Sequence, residues 1–355
     1  MNPKSRIWCS EPRSTASSNQ ILFSVRAPVG EVNITNVECC IGRGIAALEP
    51  VNSDLIYCFY LLKFYKSKFL KTSQGTTFEA INRKDIANGT FPFTNNIHEQ
   101  QKIASILSKV DELIQKTDQV IKQTQRLKKG LMQSLLTKGI GHTRFKTTSI
   151  GMIPESWVVT KLRQVVHSYK NGIYKSSHYH GHGTPNIRMF NINDGKVDTV
   201  GAPLLEVTKK EELDYNLHIG DILINRVNSA DLVAKAGIVD HDLGSVVFDS
   251  MIIRLRTLNE KCNPYFLSYF LISKKYYDQI HPVVKHAIGQ SSINQDDINN
   301  LEFALPPIRE QQKIITIISN IDNCIQKRQS YKLLIDNLKI GIMQKLLTGK
   351  IRVKV

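Results

Sequence analysis

One stretch of this chain occurs twice. It runs from Glu99 to Thr137 and returns from Glu310 to Thr348, offset by 211 residues without a gap and with about half of its positions identical. A repeat of that length means two related halves, and it restricts the fold more than any local propensity does. Each copy reads as one long helix. In the first, Ile103, Ile106, Val110, Leu113, Thr117, Val120, Thr124, Leu127 and Leu131 step alternately by three and four. In the second, the same steps select Ile314, Ile317, Ile321, Cys324, Arg328, Tyr331, Ile335, Leu338 and Ile342. This is a heptad seam sustained for about four heptads. Only Thr117, Thr124 and Arg328 interrupt it, and no proline lies inside either copy. A helix of ~38 residues is roughly 57 Å long, and a seam of that length needs a cover. Because the period is nearer 3.5 than 3.6, the economical cover is the other copy, in an intramolecular antiparallel coiled coil. The competing covers are each copy's own globular domain or another protein.

The segments ahead of the two helices also correspond. Ile21–Arg26 reads as a strand closed by a Pro-Val-Gly turn, and Gly220–Arg226 matches it; Ile45–Leu48 and Ser250–Leu255 read as the following strands. Residues 54–71 and 264–280 read as buried helices whose aromatic stripes (Tyr57, Tyr60, Phe64 in the first) are core rather than base-stacking platforms. Asp85 and Asp221 sit at turn positions and read as caps rather than acid catalysts. The expected class is α+β: two mixed α/β domains, the first incomplete, separated by two long helices. The expected boundaries are a partial first domain at 1–95, a long helix at 96–138, a linker at 139–149, a second domain at 150–305 and a second long helix at 306–349. Gly139 and Gly141 are placed to stop the first helix. The halves are unequal. The second domain opens with Pro154 and Trp157 well before its Ile222 strand, whereas only 20 residues precede Ile21. By the repeat's own spacing, the first domain is expected to lack on the order of 50 residues, through a truncated start or a genuine loss of its opening elements.

Composition narrows the function. The chain carries 47 Lys and Arg against 31 Asp and Glu, a formal net charge of +16. That excess favours a polyanionic partner, nucleic acid before an acidic membrane surface. No apolar leader and no run of ~20 apolar residues is present, so neither a membrane partner nor a secreted location is expected, and the cytoplasm is the expected compartment. Cys9, Cys39, Cys40, Cys58, Cys262 and Cys324 are scattered without paired spacing and read as free thiols. The histidines of His178-Tyr179-His180-Gly181-His182 alternate on a glycine-rich loop and are expected to be solvated, with no metal.

Several of these stretches resemble one family. EQQKI opening each long helix, LLTKGI and LLTGKI closing them, ILFSVRAPVG followed by CIGRGIAAL, IGMIPESW and PPIREQQKI are similar to the DNA-specificity (S) subunit of type I restriction-modification systems. Two departures stand out: the opening of the first domain is lacking, and Asn95 and Asn96 stand where prolines usually precede the first EQQ. The resemblance implies two target-recognition domains that read a bipartite, asymmetric site in double-stranded DNA. It implies a helical scaffold that spaces them and docks modification (M) subunits, with restriction (R) subunits joining the assembly. Docking is expected at Glu99, Gln100, Gln101, Glu310, Gln311 and Gln312. The chain itself would be non-catalytic and hold no cofactor, with S-adenosylmethionine, ATP and Mg on the partner subunits. The sequence is in keeping with this, for it holds no GxxxxGK[ST] loop and no Asn-Pro-Pro-aromatic tetrapeptide.

Base edges in the major groove are read by Arg, Lys, Asn and Gln, and phosphates by Lys, Arg, Ser and Thr. The candidates in the second domain are Arg226 at a strand end, then Gln290, Ser291 and Asn294 in a glycine-led loop, then Arg188 and Lys235. Those in the first domain are Arg26, Arg43, Thr76, Thr77 and Arg83. For each arginine the plain alternative is a salt bridge or a bond closing its turn. For the whole chain the alternatives are a coiled-coil scaffold that binds no nucleic acid, or an inactive truncated specificity subunit.

Overall fold

The computed structural model describes residues 7–72, 80–287 and 290–354. The architecture is α+β, with two long helices, Ile97–Lys138 and Ile308–Leu347. The chain divides into two compact units, Met1–Lys122 with Gln326–Val355, and Gln123–Ile325. The division falls inside the long helices, so each unit owns part of both.

In the first unit the strand Ile21–Ser24 is central, flanked antiparallel by Val32–Ile34 and Ile45–Leu48. One sheet face is closed by the helix Leu55–Phe64 and by the long helices: Ile21, Tyr57 and Tyr60 share a core with Ile103, Leu107, Met343 and Leu346. In the second unit Ile222–Asn225 holds the same place in a six-stranded sheet, between Ala236–Ile238 and Ile252–Thr257. The register repeats too. Ile21 pairs with Ile34 and Leu48, and Ile222 pairs with Ile238 and Leu255. Ile222, Ile224 and Phe266 pack with Leu135, Leu136, Ile314 and Ile318 from the long helices.

Within each unit the helix segments run antiparallel. In the first, Asp111 pairs with Lys339 and Asp118 with Lys332 at 2.8 Å, so one helix advances as the other retreats. In the second, Lys128 meets Asp322 at 2.5 Å. Asp111 and Lys128 are the repeat equivalents of Asp322 and Lys339, so one acid–base pair is written twice.

The seam corrects the sequence reading at alternate positions. Ile103, Val110, Thr117, Thr124 and Leu131 belong to it as expected, but the residues between them are one step later: Leu107, Ile114, Ile121, Lys128 and Leu135. In the second helix Ile318, Ile325, Lys332, Lys339 and Leu346 replace Ile317, Cys324, Tyr331, Leu338 and their sequel. Positions three and four residues on both lie beside the seam of a helix, and here both are often apolar, so periodicity alone does not separate them. The lysines were hidden from a search for apolar residues; their stems line the seam and their ammonium groups reach carboxylates.

The two sheets differ on their other face. Leu223 and Ile252 are buried beneath Ile187, Ile192, Val197, Leu217 and Phe248. The equivalent residues of the first unit, Leu22 and Ile45, line an open trough with Trp8, Val37, Glu31 and Glu38. Ile45 is 36% exposed, against 0% for Ile252.

Two leucines of the first unit test the seam. Leu107→Ala is expected to cost about 3–5 kcal/mol of stability, as a fully buried leucine does. Leu338→Ala, at a position 58% exposed, is expected to stay within about 0.5 kcal/mol. Equal losses in urea melts would restore the three-then-four seam.

Candidate nucleic-acid interface

The strand end is the focus in both units. In the second, Arg226 N donates to Met251 O (2.8 Å) and Arg226 O accepts from Ile293 N (2.9 Å). In the first, these bonds belong to Val25, whose N donates to Gly44 O (2.9 Å) and whose O accepts from Ile81 N (3.0 Å). Arg226 is therefore the counterpart of Val25, and Arg26 that of Val227. The bridge Arg26↔Ala80 repeats the pair Val227↔Ser292. Successive strand residues point to opposite faces, so the two arginines point to opposite faces of equivalent strands. Aligning arginine on arginine in the sequence hid that shift.

Arg226 is half-buried, and its Nε is buried without a hydrogen-bond partner. The turn Asp249–Met251 that receives its backbone also receives Arg188, whose Nε lies 3.5 Å from Asp249 Oδ2 and likewise makes no hydrogen bond. Beyond Arg226 the strand Val227–Asn228 pairs with Gln290–Ser292. The structure thus brings Arg188, Arg226, Gln290 and Ser291 around one strand end. Gln290 is exposed, whereas Ser291 is buried and its hydroxyl meets His286 Nδ1 at 3.0 Å. Asn294 is spent locally: its Oδ1 accepts from Asp297 N in a capping box that Asn82 and Asp85 repeat. Lys235 stands apart, its Nζ on Asn193 Oδ1 at 3.0 Å. In the first unit Arg26, Arg43 and Arg83 are all exposed. Thr76 and Thr77 lie outside the described residues. Asn186 and Asn225 have buried side-chain oxygens without partners near this strand end, and nothing in a neutral strand residue marked them in the sequence.

The remaining polar residues have local duties. Asp221 caps the turn at His218 N (3.0 Å) and also holds Arg256 Nε (2.6 Å), so it joins the cap expected of it to an ion pair with a half-buried arginine. His182 meets Glu206 at 2.9 Å and His180 meets Lys175 O at 3.2 Å.

The helix-opening EQQ residues bind their own units. Gln100 Oε1 accepts from Asp54 N (2.7 Å) while its Nε2 donates to Thr94 O (2.7 Å). Gln311 accepts from Asn263 N (2.8 Å) and donates to Lys261 O and Pro306 O (3.0 and 2.9 Å). Asp54 and Asn263 are the N-caps of equivalent helices, so each glutamine staples a long helix to the helix ahead of it. Glu310 accepts from Trp157 Nε1 (2.9 Å) and Ile140 N (3.0 Å) where Gly139, at φ +66°, ends the first long helix. A side chain at Gly139 would stand 2.5 Å from that carboxylate. Glu99 takes Arg352 (2.5 and 2.6 Å) and the Thr94 hydroxyl (2.6 Å), which together hold its carboxyl below the ordinary range. Gln101 and Gln312 are exposed. Asn96 takes over the start of the first helix by accepting from His98 N (3.0 Å) and Glu99 N (3.3 Å).

Comparison with known proteins agrees with this doubled plan. A family model described as "Type I restriction modification DNA specificity domain" matches residues 14–123 and 154–334. The putative type I restriction enzyme MjaX specificity subunit of Methanocaldococcus jannaschii is 34% identical over 205 residues, 58% of this chain and 48% of that protein. The MjaVIII specificity subunit of the same organism is 33% identical over 318 residues, 86% of this chain and 73% of that protein. The chain thus spans about half the length of the first relative and about three quarters of the second. The type I restriction-modification S subunit of M. genitalium shares the fold at a TM-score of 0.57 and 16% identity, over 94% of this chain and 83% of that one. A chain from a structure concerned with complex assembly and conformational transition of the type I R-M system reaches 0.61 at 16% identity, over 97% and 85%.

The staples make a direct prediction. Gln311→Ala leaves a buried N–H and two carbonyls unbonded and is expected to cost about 1–3 kcal/mol. Gln312→Ala, at the exposed neighbour, is expected to change stability by less than about 0.5 kcal/mol. Thermal melts of the two variants that coincide with wild type would refute the staple.

Proposed function

The chain belongs to the type I restriction modification DNA specificity family, and from that premise we propose that it is the non-catalytic subunit that sets the DNA sequence read by a type I restriction-modification complex. The observation that carries this reading is the strand end of the second unit. Two guanidiniums, Arg188 and Arg226, are held around one turn with buried Nε groups that make no hydrogen bond, that of Arg188 ion-paired at 3.5 Å to Asp249. Such donors are costly to leave unmade in a folded protein, and a base edge or a phosphate oxygen would complete them. The formal charge of +16 supplies the sequence-independent attraction. In the first unit Arg26, Arg43 and Arg83 are exposed, though Arg26 is not the counterpart of Arg226. With two related but unequal halves, the site read is bipartite and asymmetric.

M subunits dock on the helical scaffold, and R subunits join through them. The long helices of the first unit support this, since Leu113, Tyr331, Leu334 and Leu338 stand exposed beside the filled seam. Leu113, Tyr331 and Leu338 of this row are positions that sequence periodicity picked out, and internal pairing leaves them at the surface. Gln101 and Gln312 are the members of the EQQ runs open to a partner. S-adenosylmethionine, ATP and Mg act on those partners, and the compartment is the cytoplasm.

Two measurements test the proposal. Duplex binding, followed by fluorescence anisotropy, is expected to weaken steeply between about 50 and 200 mM salt. Arg226→Ala is expected to lose about 1–3 kcal/mol and to relax the sequence preference. With M subunit present, protection of two short tracts separated by a fixed gap is expected. Affinity indifferent to salt, or uniform protection with no preferred sequence, would overturn the reading. If Arg26→Ala changes neither affinity nor preference, reading rests on the second unit alone.

A further inference from the structure

Beside the strand end of the second unit opens a cleft of about 520 Å³, within the range of small-molecule sites. Tyr174, Asn186, Arg188, Met189, Asp249 and Met251 are among the residues that line it. Asn186 is only 1% exposed, and its Oδ1 has no hydrogen-bond partner. The backbone that carries it is fixed, since Asn186 N donates to Pro203 O (2.8 Å) and the residue pairs in register with Val247. Gly172 lets the adjoining strand press close, for a Cβ there would stand 2.2 Å from the carbonyl oxygens of Phe248 and Asp249. At the rim, Tyr174 is 81% exposed. The cleft therefore combines a buried amide on a fixed backbone, an aromatic ring, thioether surfaces and an arginine–aspartate pair.

We propose that this cleft binds one unstacked nucleobase, adenine before the others, with Asn186 reading its edge and Tyr174 stacking on its face. The proposal deepens the DNA-reading assignment and rests on it. An asparagine amide offers one donor and one acceptor side by side, the complement of the adenine N6–N7 edge. The phenol ring and the methionine side chains suit a flat, polarizable body. A base still stacked in a duplex cannot approach a residue as deep as Asn186, whereas one turned out of the stack can enter the cleft and meet the amide once the side chain, 1% exposed in this structure, turns toward it. An unbonded buried amide oxygen in a native chain calls for an explanation, and a base edge supplies it.

Calorimetric titration of the full chain with AMP, GMP, CMP and TMP at low salt tests the pocket, with inorganic phosphate as a control and duplex binding measured in parallel. AMP is expected to saturate with a Kd below about 1 mM and to bind at least about tenfold more weakly to Asn186→Ala and to Tyr174→Ala. Tyr174 is exposed, so its variant decides the matter should Asn186→Ala fail to fold. Tightest binding of another nucleotide, with the same dependence on Asn186 and Tyr174, supports the pocket and reassigns the base. No saturable binding by any of the four, binding that survives both substitutions, or phosphate binding as well as AMP would overturn it. Loss of duplex binding in the wild type with AMP binding intact would sink the DNA-reading assignment and leave the pocket standing.

Discussion

Neither globular unit closes its core without both long helices. In the first unit Tyr57, Tyr60 and Ile21 pack on Ile103 and Leu107, and the same cluster needs Met343, Leu346 and Leu347 from the far end of the chain. In the second, Trp157, Ile222 and Phe266 pack with Leu135 and Leu136 and with Ile314 and Ile318. Tyr60 makes the dependence explicit. Its hydroxyl donates to Asp111 Oδ2 (2.8 Å), and the other oxygen of that carboxylate receives Lys339. One buried acid therefore joins the aromatic helix to both long helices. Burial raises the pKa of the tyrosine, and the hydrogen bond to Asp111 raises it further, so the phenol remains a donor across the neutral range. The contacts are as non-local as this chain permits, so the ends must meet before the first unit gains most of its hydrophobic stabilisation.

Much of this was legible in the repeat. A long copy with a heptad pattern, preceded by strand, turn, strand and aromatic helix, carries the order of elements in both halves. Asp85, read as a cap, closes a capping box with Asn82, and Asn294, read instead as a DNA contact, opens the equivalent short helix in the same way with Asp297. What periodicity could not give is the choice between neighbours on one helix face. Leu113 or Ile114, and Leu127 or Lys128, fit a seam equally well on paper. The structure selects Ile114 and Lys128 because Lys128 finds Asp322 across the pair, an argument available only once the two helices are brought together. The EQQ residues show a different limit. Their recurrence points to importance but not to its kind, and the structure spends Gln100 and Gln311 on backbone groups that would otherwise lie buried and unbonded.

The candidate interface was legible at the level of strand end and charge, and less so residue by residue. Arg226 and Arg26 are both arginines at the end of a matched strand, and a one-residue slip places them on opposite faces. Asn294 and Ser291 are polar residues in the right place whose side chains already have partners within the fold. Asn186, by contrast, lies in a strand with nothing to distinguish it, and only the combination of burial and an unbonded oxygen brings it forward.

The two halves also differ in what their sheets can do. Leu223 and Ile252 lie in a sealed layer, so the turn that carries Asp249 and Met251 is braced from below and can hold Arg188 and Arg226 half-buried. Leu22 and Ile45 face an open trough in which Glu31 and Glu38 are the charged residues. The first unit presents the exposed Arg26, Arg43 and Arg83 on a sheet braced from one side. The repeat makes the halves look alike in sequence, but a guanidinium held in place by packing discriminates between bases better than one free to move. On the reading proposed above, the half expected to discriminate more sharply is the one whose sheet is buried on both faces.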